Sequence, residues 1–143
     1  TRLQGDWSSD VCSSDLESAQ WIETAARRHG LDAIVCTKIR HGDREVDIAL
    51  PEDAQVTGRA VVLLDDVASS GRTLARAAER LHAAGAASVD VAVTHALFAG
   101  DALEVIRAAG VGEVWSTDCI AHPSNAVQIA PMLAEALRAV LVD

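Results

Sequence analysis

Between residues 59 and 85 an unbroken apolar run passes directly into an amphipathic segment. That pairing restricts the fold more than any other feature of the chain. "RAVVLLDD", Arg59 to Asp66, lacks the alternation of a half-exposed strand, and it suits a strand buried on both faces of a parallel sheet. "GRTLARAAERLHAAG", Gly71 to Gly85, sets Leu74, Ala77, Ala78 and Leu81 on one helical face, and Gly85 ends it. The same alternation recurs along the chain. "DAIVCT", "SVDVAVTHA" and "EVWSTD" read as strands. "SAQWIETAARRHG" reads as a helix with Trp21, Ile22 and Ala25 on one face, Arg27 and Arg28 in its last turn and Gly30 as its stop. "DALEVIRAAG" reads as another helix, and "APMLAEALRAVL" closes the chain as a helix with Pro131 early in it. "KIRHGDREVDIAL" is polar and then alternating, a loop or hairpin. Strands and helices in turn predict an α/β fold, a three-layer, Rossmann-like parallel sheet with helices on both faces. Trp21 and Trp115 are expected in its core.

The 143 residues suffice for one domain, and half of them are apolar. The formal charge is −9 with no basic stripe, which argues against a nucleic acid or an anionic membrane as partner. No apolar run approaches the roughly 20 residues needed to cross a bilayer. A phosphate ligand is still compatible with an acidic chain, because a cluster of backbone amides can bind one locally. Cys12, Cys36 and Cys119 form no CxxC pair, so they read as free thiols of a cytoplasmic protein, with Cys36 and Cys119 as small buried hydrophobes.

Residues 1–16 stand apart. "DWSSDVCSSDL", Asp6 to Leu16, follows neither a helical nor a strand period. A widely used DNA sequencing adapter, read in frame, encodes this peptide residue for residue. The segment is therefore expected to be foreign and disordered, with the native fold beginning at Glu17. On this reading residues 17–143 form the domain, and native sequence upstream of Glu17, an N-terminal domain included, is missing.

The loop after the buried run carries the chemistry. Asp65 and Asp66 fall at the carboxyl end of a strand, where open α/β sheets bind their ligands. The backbone amides of Ser70, Gly71, Arg72 and Thr73 can converge on one point, helped by about half a positive charge from the helix dipole. Ser69, Ser70 and Thr73 add hydroxyl donors, and Gly71 permits a tight turn. This is an anion cradle, but not a Walker loop, since G-x-x-x-x-G-K-[ST] is absent. The two acids would repel a phosphate they faced, so they must meet hydrogen-bond donors such as the vicinal hydroxyls of a sugar. A ribose 5-phosphate satisfies both halves. The bland alternative is a solvated turn with Ser69 or Ser70 as an N-cap.

The loop resembles the phosphoribosyl-pyrophosphate motif of type I phosphoribosyltransferase folds. "ESAQW", "KIRHGDREV", "THALFAGDA" and "STDCIAHP" narrow the resemblance to ribose-phosphate pyrophosphokinases, also called phosphoribosyl pyrophosphate synthetases, of the archaeal type. It covers residues 17–143 in order and corresponds to the C-terminal portion of such an enzyme. It implies transfer of a pyrophosphoryl group from ATP to the C1 hydroxyl of ribose 5-phosphate, with magnesium, giving phosphoribosyl pyrophosphate and AMP. By the same resemblance Asp65 and Asp66 meet the ribose hydroxyls, Ser69, Ser70, Gly71, Arg72 and Thr73 wrap the 5-phosphate, and Lys38 and Arg40 are the Lys-x-Arg pair of a catalytic loop. It also implies a homo-oligomer. The ATP-binding elements and the magnesium ligands would lie mainly upstream.

Two cations on a polar loop suit this chemistry, because the transferred group spreads negative charge that positioned cations stabilise. Arg72 stands where the family usually has glycine or alanine, and either adds a cation for the phosphate or crowds the turn. Two further functions fit the same loop: a nucleobase phosphoribosyltransferase, and a non-catalytic sugar-phosphate-binding regulator. His95 follows a strand and could line the site. His122 and Pro123 are candidates for a subunit contact or effector pocket, and His41 reads as solvated.

Overall fold

The computed structural model describes residues 9–13, 19–41 and 45–141. For residues 9–13, 19, 21, 38–41, 45 and 46 the description is of the backbone. The elements in chain order are β1 (Ser9–Ser13), α1 (Ala19–His29), β2 (Asp32–Val35), β3 (Thr37–His41), β4 (Glu45–Ala49), β5 (Ala60–Ala68), α2 (Arg72–Ala83), β6 (Ser88–Ala96), α3 (Ala102–Ala108), β7 (Val114–Thr117), β8 (Asn125–Val127) and α4 (Ala130–Leu141).

Six strands form one parallel sheet in the order β2-β1-β5-β6-β7-β8. The segment "KIRHGDREVDIAL" is a separate antiparallel hairpin, β3 with β4. The apolar run is β5, at the sheet's centre. Val61 and Leu63 enter a core cluster with Leu74, Ala77, Ala78 and Leu81 of α2 and Ile106 of α3, whereas Leu64 packs with Ile22 and Ala26 of α1. Alternate residues of one strand thus serve opposite faces, which is why the run shows no polar positions. The α/β layering expected from the sequence is the observed one.

Several expectations need correction. Ser9–Ser13, expected to be disordered, is β1, paired with β2 on one side and β5 on the other. A parallel ladder is made by main-chain groups, so the slot between β2 and β5 can be filled by a segment with little side-chain preference. Cys36 is fully buried but disulfide-bonded rather than free. The β1–β2 register, which sets Cys12 opposite Ile34, brings a second cysteine to that part of the sheet. Cys119 is a free thiol but exposed, in the turn after β7. On α1 the buried pair is Ile22 and Ala26, one turn apart, and Ala25 is exposed; the Trp21 side chain lies outside the described residues. Trp115 is half-buried at the wall of a cavity instead of in the core. Strand β8 was not expected: its three residues carry no strand pattern, and Asn125 holds it by donating through Nδ2 to the Thr117 and Ile120 carbonyls at 2.6 and 3.0 Å. Helix α4 forms as expected, but none of its residues is buried.

Among the described residues no helix is long and apolar enough to cross a membrane. Leu81, fully buried on α2, tests the core: Leu81→Ala should lower unfolding stability by about 2–5 kcal/mol, read from the urea midpoint.

Candidate functional site

Chain order reverses direction across the sheet between β1 and β5. From β1 the chain moves outward to β2, and from β5 it moves the other way to β6, β7 and β8. The crevice beyond the carboxyl ends of such a strand pair is where an open α/β sheet binds ligands. β1 ends with Ser13 opposite Leu64, while β5 runs on beside β6 to Ala68 opposite Ala96. The strand therefore continues past the two acids, where the sequence ended it at Asp66. Its partner explains the extension, since the apolar alternation of β6 continues to Ala96.

Asp65 and Asp66 lie on this overhang. The Asp66 amide donates to Asp65 Oδ1 at 3.0 Å, and the Val67 amide donates to Asp66 Oδ1 at 2.7 Å. Each carboxylate thus satisfies the amide that follows it, on a stretch of strand that β1 no longer covers. This arrangement makes two adjacent acids tolerable at the end of a buried strand.

The chain then turns through Ser69 and Ser70 to Gly71, the N-cap of α2, at φ +71°. A side chain at Gly71 would be strained by that φ and obstructed as well. A Cβ there would lie 2.8 Å from the Ala102 carbonyl oxygen and 2.9 Å from Ile106 Cδ1. The helix N-terminus has no side-chain cap, so Ser69 and Ser70 are not N-caps. The first intrahelical bond at this end is the Ala75 amide to the Gly71 carbonyl, at 2.9 Å. The amides before it point out of the helix end with the dipole's positive charge behind them.

Asp65, Ser69, Ser70, Gly71 and Thr73 line one cavity of about 110 Å³, room for a few waters or one tetrahedral anion. Asp65 and Asp66 also line a second cavity of about 670 Å³ on the α1 side, with Thr94, Trp115 and Ser116. Asp65 is common to both. Arg72 is exposed and does not line the small cavity, so it does not crowd the turn. Lys38 and Arg40 lie on β3, opposite Ile48 and Val46 of β4; their side chains lie outside the described residues. His41 is the last residue of β3, with its side chain likewise outside the description. His95 is half-buried at the level of Val67.

One contributor escaped the sequence reading. The Phe98 amide donates to the Ala68 carbonyl and the Ala99 amide to the Ser69 carbonyl, both at 2.9 Å. Residues 98 and 99 thereby buttress the loop. Phe98 has φ +35°, in the region that side chains disfavour, and its ring lies 5.0 Å from that of His122. His122 Nδ1 in turn sits 2.7 Å from Ser124 Oγ, so this histidine belongs to a hydrogen-bonded turn. Only the unusual phenylalanine of an aromatic-poor chain could have flagged it.

Gly71→Ala should cost about 1–2 kcal/mol from the left-handed backbone alone, with the contact against α3 in addition. Urea unfolding measures the loss, and isothermal titration with inorganic phosphate should show weakened binding in the same variant. Wild-type stability would contradict this packing of Gly71 against α3.

Residues 24–142 match the family model described as the phosphoribosyl synthetase-associated domain. The chain is 37% identical over 129 residues to ribose-phosphate pyrophosphokinase 1 of Archaeoglobus fulgidus, covering 89% of this chain and 44% of that protein. It is 38% identical over 100 residues to ribose-phosphate pyrophosphokinase of Methanopyrus kandleri, covering 70% of this chain and 34% of that protein. The chain thus spans less than half the length of these curated relatives. The crystal structure of phosphoribosylpyrophosphate synthetase from Mycobacterium smegmatis superposes with a TM-score of 0.71 at 28% identity, over 95% of this chain and 46% of that one. Orotate phosphoribosyltransferase from Aeropyrum pernix, at 23% identity and a TM-score of 0.57 over 76% of this chain and 59% of that one, shares the fold. The chain belongs to the ribose-phosphate pyrophosphokinase family, and its fold is that of the type I phosphoribosyltransferases.

Proposed function

We propose that this chain is the acceptor-sugar part of a ribose-phosphate pyrophosphokinase. In the reaction the C1 hydroxyl of ribose 5-phosphate attacks ATP, loses its proton, takes the pyrophosphoryl group and releases AMP. One observation carries the assignment of the sugar: Asp65 shares a single cavity with Ser69, Ser70, Gly71 and Thr73 at an uncapped helix N-terminus. The amides and hydroxyls hold the 5-phosphate. Asp65 and Asp66 accept hydrogen bonds from the ribose hydroxyls, each such charge-assisted bond contributing about 1.5–3 kcal/mol. Exposed Arg72 adds long-range attraction for the dianion.

Lys38 and Arg40 are the catalytic cations of this reading. Alternate residues of a strand share a face, so the two can act together on the moving group. A hairpin outside the main sheet is a suitable carrier, because it can close over the crevice and exclude water.

Magnesium, expected with ATP, finds no group of three or more His, Cys, Asp or Glu side chains among the described residues. Asp65 and Asp66 are only two carboxylates, each already accepting an amide. In this reading they are given to the ribose hydroxyls, and the roles proposed for this chain's residues do not run through the metal. We place its ligands mainly, and the ATP site, outside this chain. Residues 1–16 are, in the same proposal, foreign sequence, of which Ser9–Ser13 fill the strand slot beside β5. The complete enzyme would be a cytoplasmic homo-oligomer.

Lys38→Ala in the complete enzyme should lose most of its turnover while ribose 5-phosphate binds nearly as in wild type. Release of AMP dependent on ribose 5-phosphate gives the rate, and calorimetry gives the affinity. Unchanged turnover would remove Lys38 from its role, and pyrophosphate release dependent on a nucleobase would favour a phosphoribosyltransferase. This chain alone should form no product.

A further inference from the structure

We propose that Arg80 is a positioning residue for the hairpin that carries Lys38 and Arg40. The inference rests on the catalytic reading of that pair. Arg80 lies in the last turn of α2, the helix that begins at the phosphate cradle. One of its guanidinium nitrogens, Nη2, donates to both oxygens of Asp47, at 2.8 Å to Oδ1 and 2.9 Å to Oδ2. Asp47 is in β4, and its backbone partner across the hairpin is Ile39, the residue between Lys38 and Arg40. The ion pair therefore grips the hairpin at the cross-strand position between the two cations.

A second fastening lies next to the first. Ile48, opposite Lys38, is fully buried in the core cluster with Leu74 and Leu81 of α2. The Ile48 amide also donates to Asp47 Oδ1 at 2.8 Å, which fixes the carboxylate that Arg80 holds. Arg40 lies one register position further towards the turn, beyond both fastenings. The base of the hairpin is thus tied to α2, and its far end extends past the tie.

Helix α2 makes this tie useful. Arg72 and Arg80 are eight residues apart, so about 12 Å of helix separates the cradle from the grip. A helix is stiff over that length. The element that fixes where the sugar phosphate sits also fixes where the two cations pivot. The hydrogen bond that Arg80 donates to Asp47, then the charge of Asp47, raises the Arg80 pKa above its ordinary value. Both side chains are more than a third exposed, at 52% and 37%, so the pair acts by geometry more than by stability.

Amide hydrogen exchange on the full 143-residue chain tests the proposal. Arg80→Ala should accelerate exchange across β3 and β4 by about two- to fivefold, the range open to an exposed ion pair, while amides of β5 and β6 keep their wild-type rates. Arg80→Lys, which retains a cation but not the paired contacts, should fall between the two. In the complete enzyme Arg80→Ala should lower kcat and leave KM for ribose 5-phosphate unchanged. Unchanged hairpin exchange would overturn the proposal, and so would equal acceleration of the hairpin and β6. Should Arg80→Ala not fold, the same comparison with Arg80→Gln decides. If exchange behaves as expected but Lys38→Ala turns over normally, the tie stands and the catalytic reading fails.

Discussion

The contact of Gly71 with α3 is the constraint on which the carboxyl edge of the sheet depends. At φ +71°, with the Ala102 carbonyl oxygen 2.8 Å from where a Cβ would be, the chain can reverse from β5 into α2 only through glycine. That reversal exposes the first amides of α2 and leaves no side chain to cap them. It also seats α2 so that Leu74, Ala77, Ala78 and Leu81 meet Val61 and Leu63 of β5. Core packing and the proposed anion site therefore share one turn, and a change there would affect both.

The acids at the end of the buried strand are compatible with this turn because they are not bare. Each accepts the next amide along a strand edge that β1 no longer covers. A carboxylate can accept about four hydrogen bonds, so accepting the next amide does not by itself use up either acid. Opposite charges are thus kept on neighbouring but distinct walls. A polyol phosphate suits that division better than a bare phosphate or a neutral sugar does.

Much of this was readable in the residues, and the misses have physical causes. β5 and the buried face of α2 follow from unbroken apolarity and from a 3.6-residue period, signals that tertiary context reinforces. "DDVASSGRT" pointed to a strand-to-helix junction that gathers amides, hydroxyls and a glycine, and the structure has that junction between β5 and α2. The end of β5 was misplaced because pairing with β6, a non-local contact, carries the strand on to Ala68. β1 was invisible because a central parallel strand needs only main-chain partners, and Ser9–Ser13 has no period. The disulfide at Cys36 was missed because no CxxC spacing marks it in the sequence. The support from Phe98 involves backbone bonds to Ala68 and Ser69, about 30 residues away, which no local pattern encodes.

The central claim is that one turn binds a sugar phosphate through amides on one side and acids on the other. Titration of the isotope-labelled chain with ribose 5-phosphate, followed by amide chemical shifts, addresses it most directly. Saturable shifts are expected, concentrated at Asp65, Asp66 and Ser69 to Thr73, with smaller ones when inorganic phosphate replaces the sugar phosphate. Absence of shifts in this loop at saturating sugar phosphate, or their concentration elsewhere on the sheet, would contradict it.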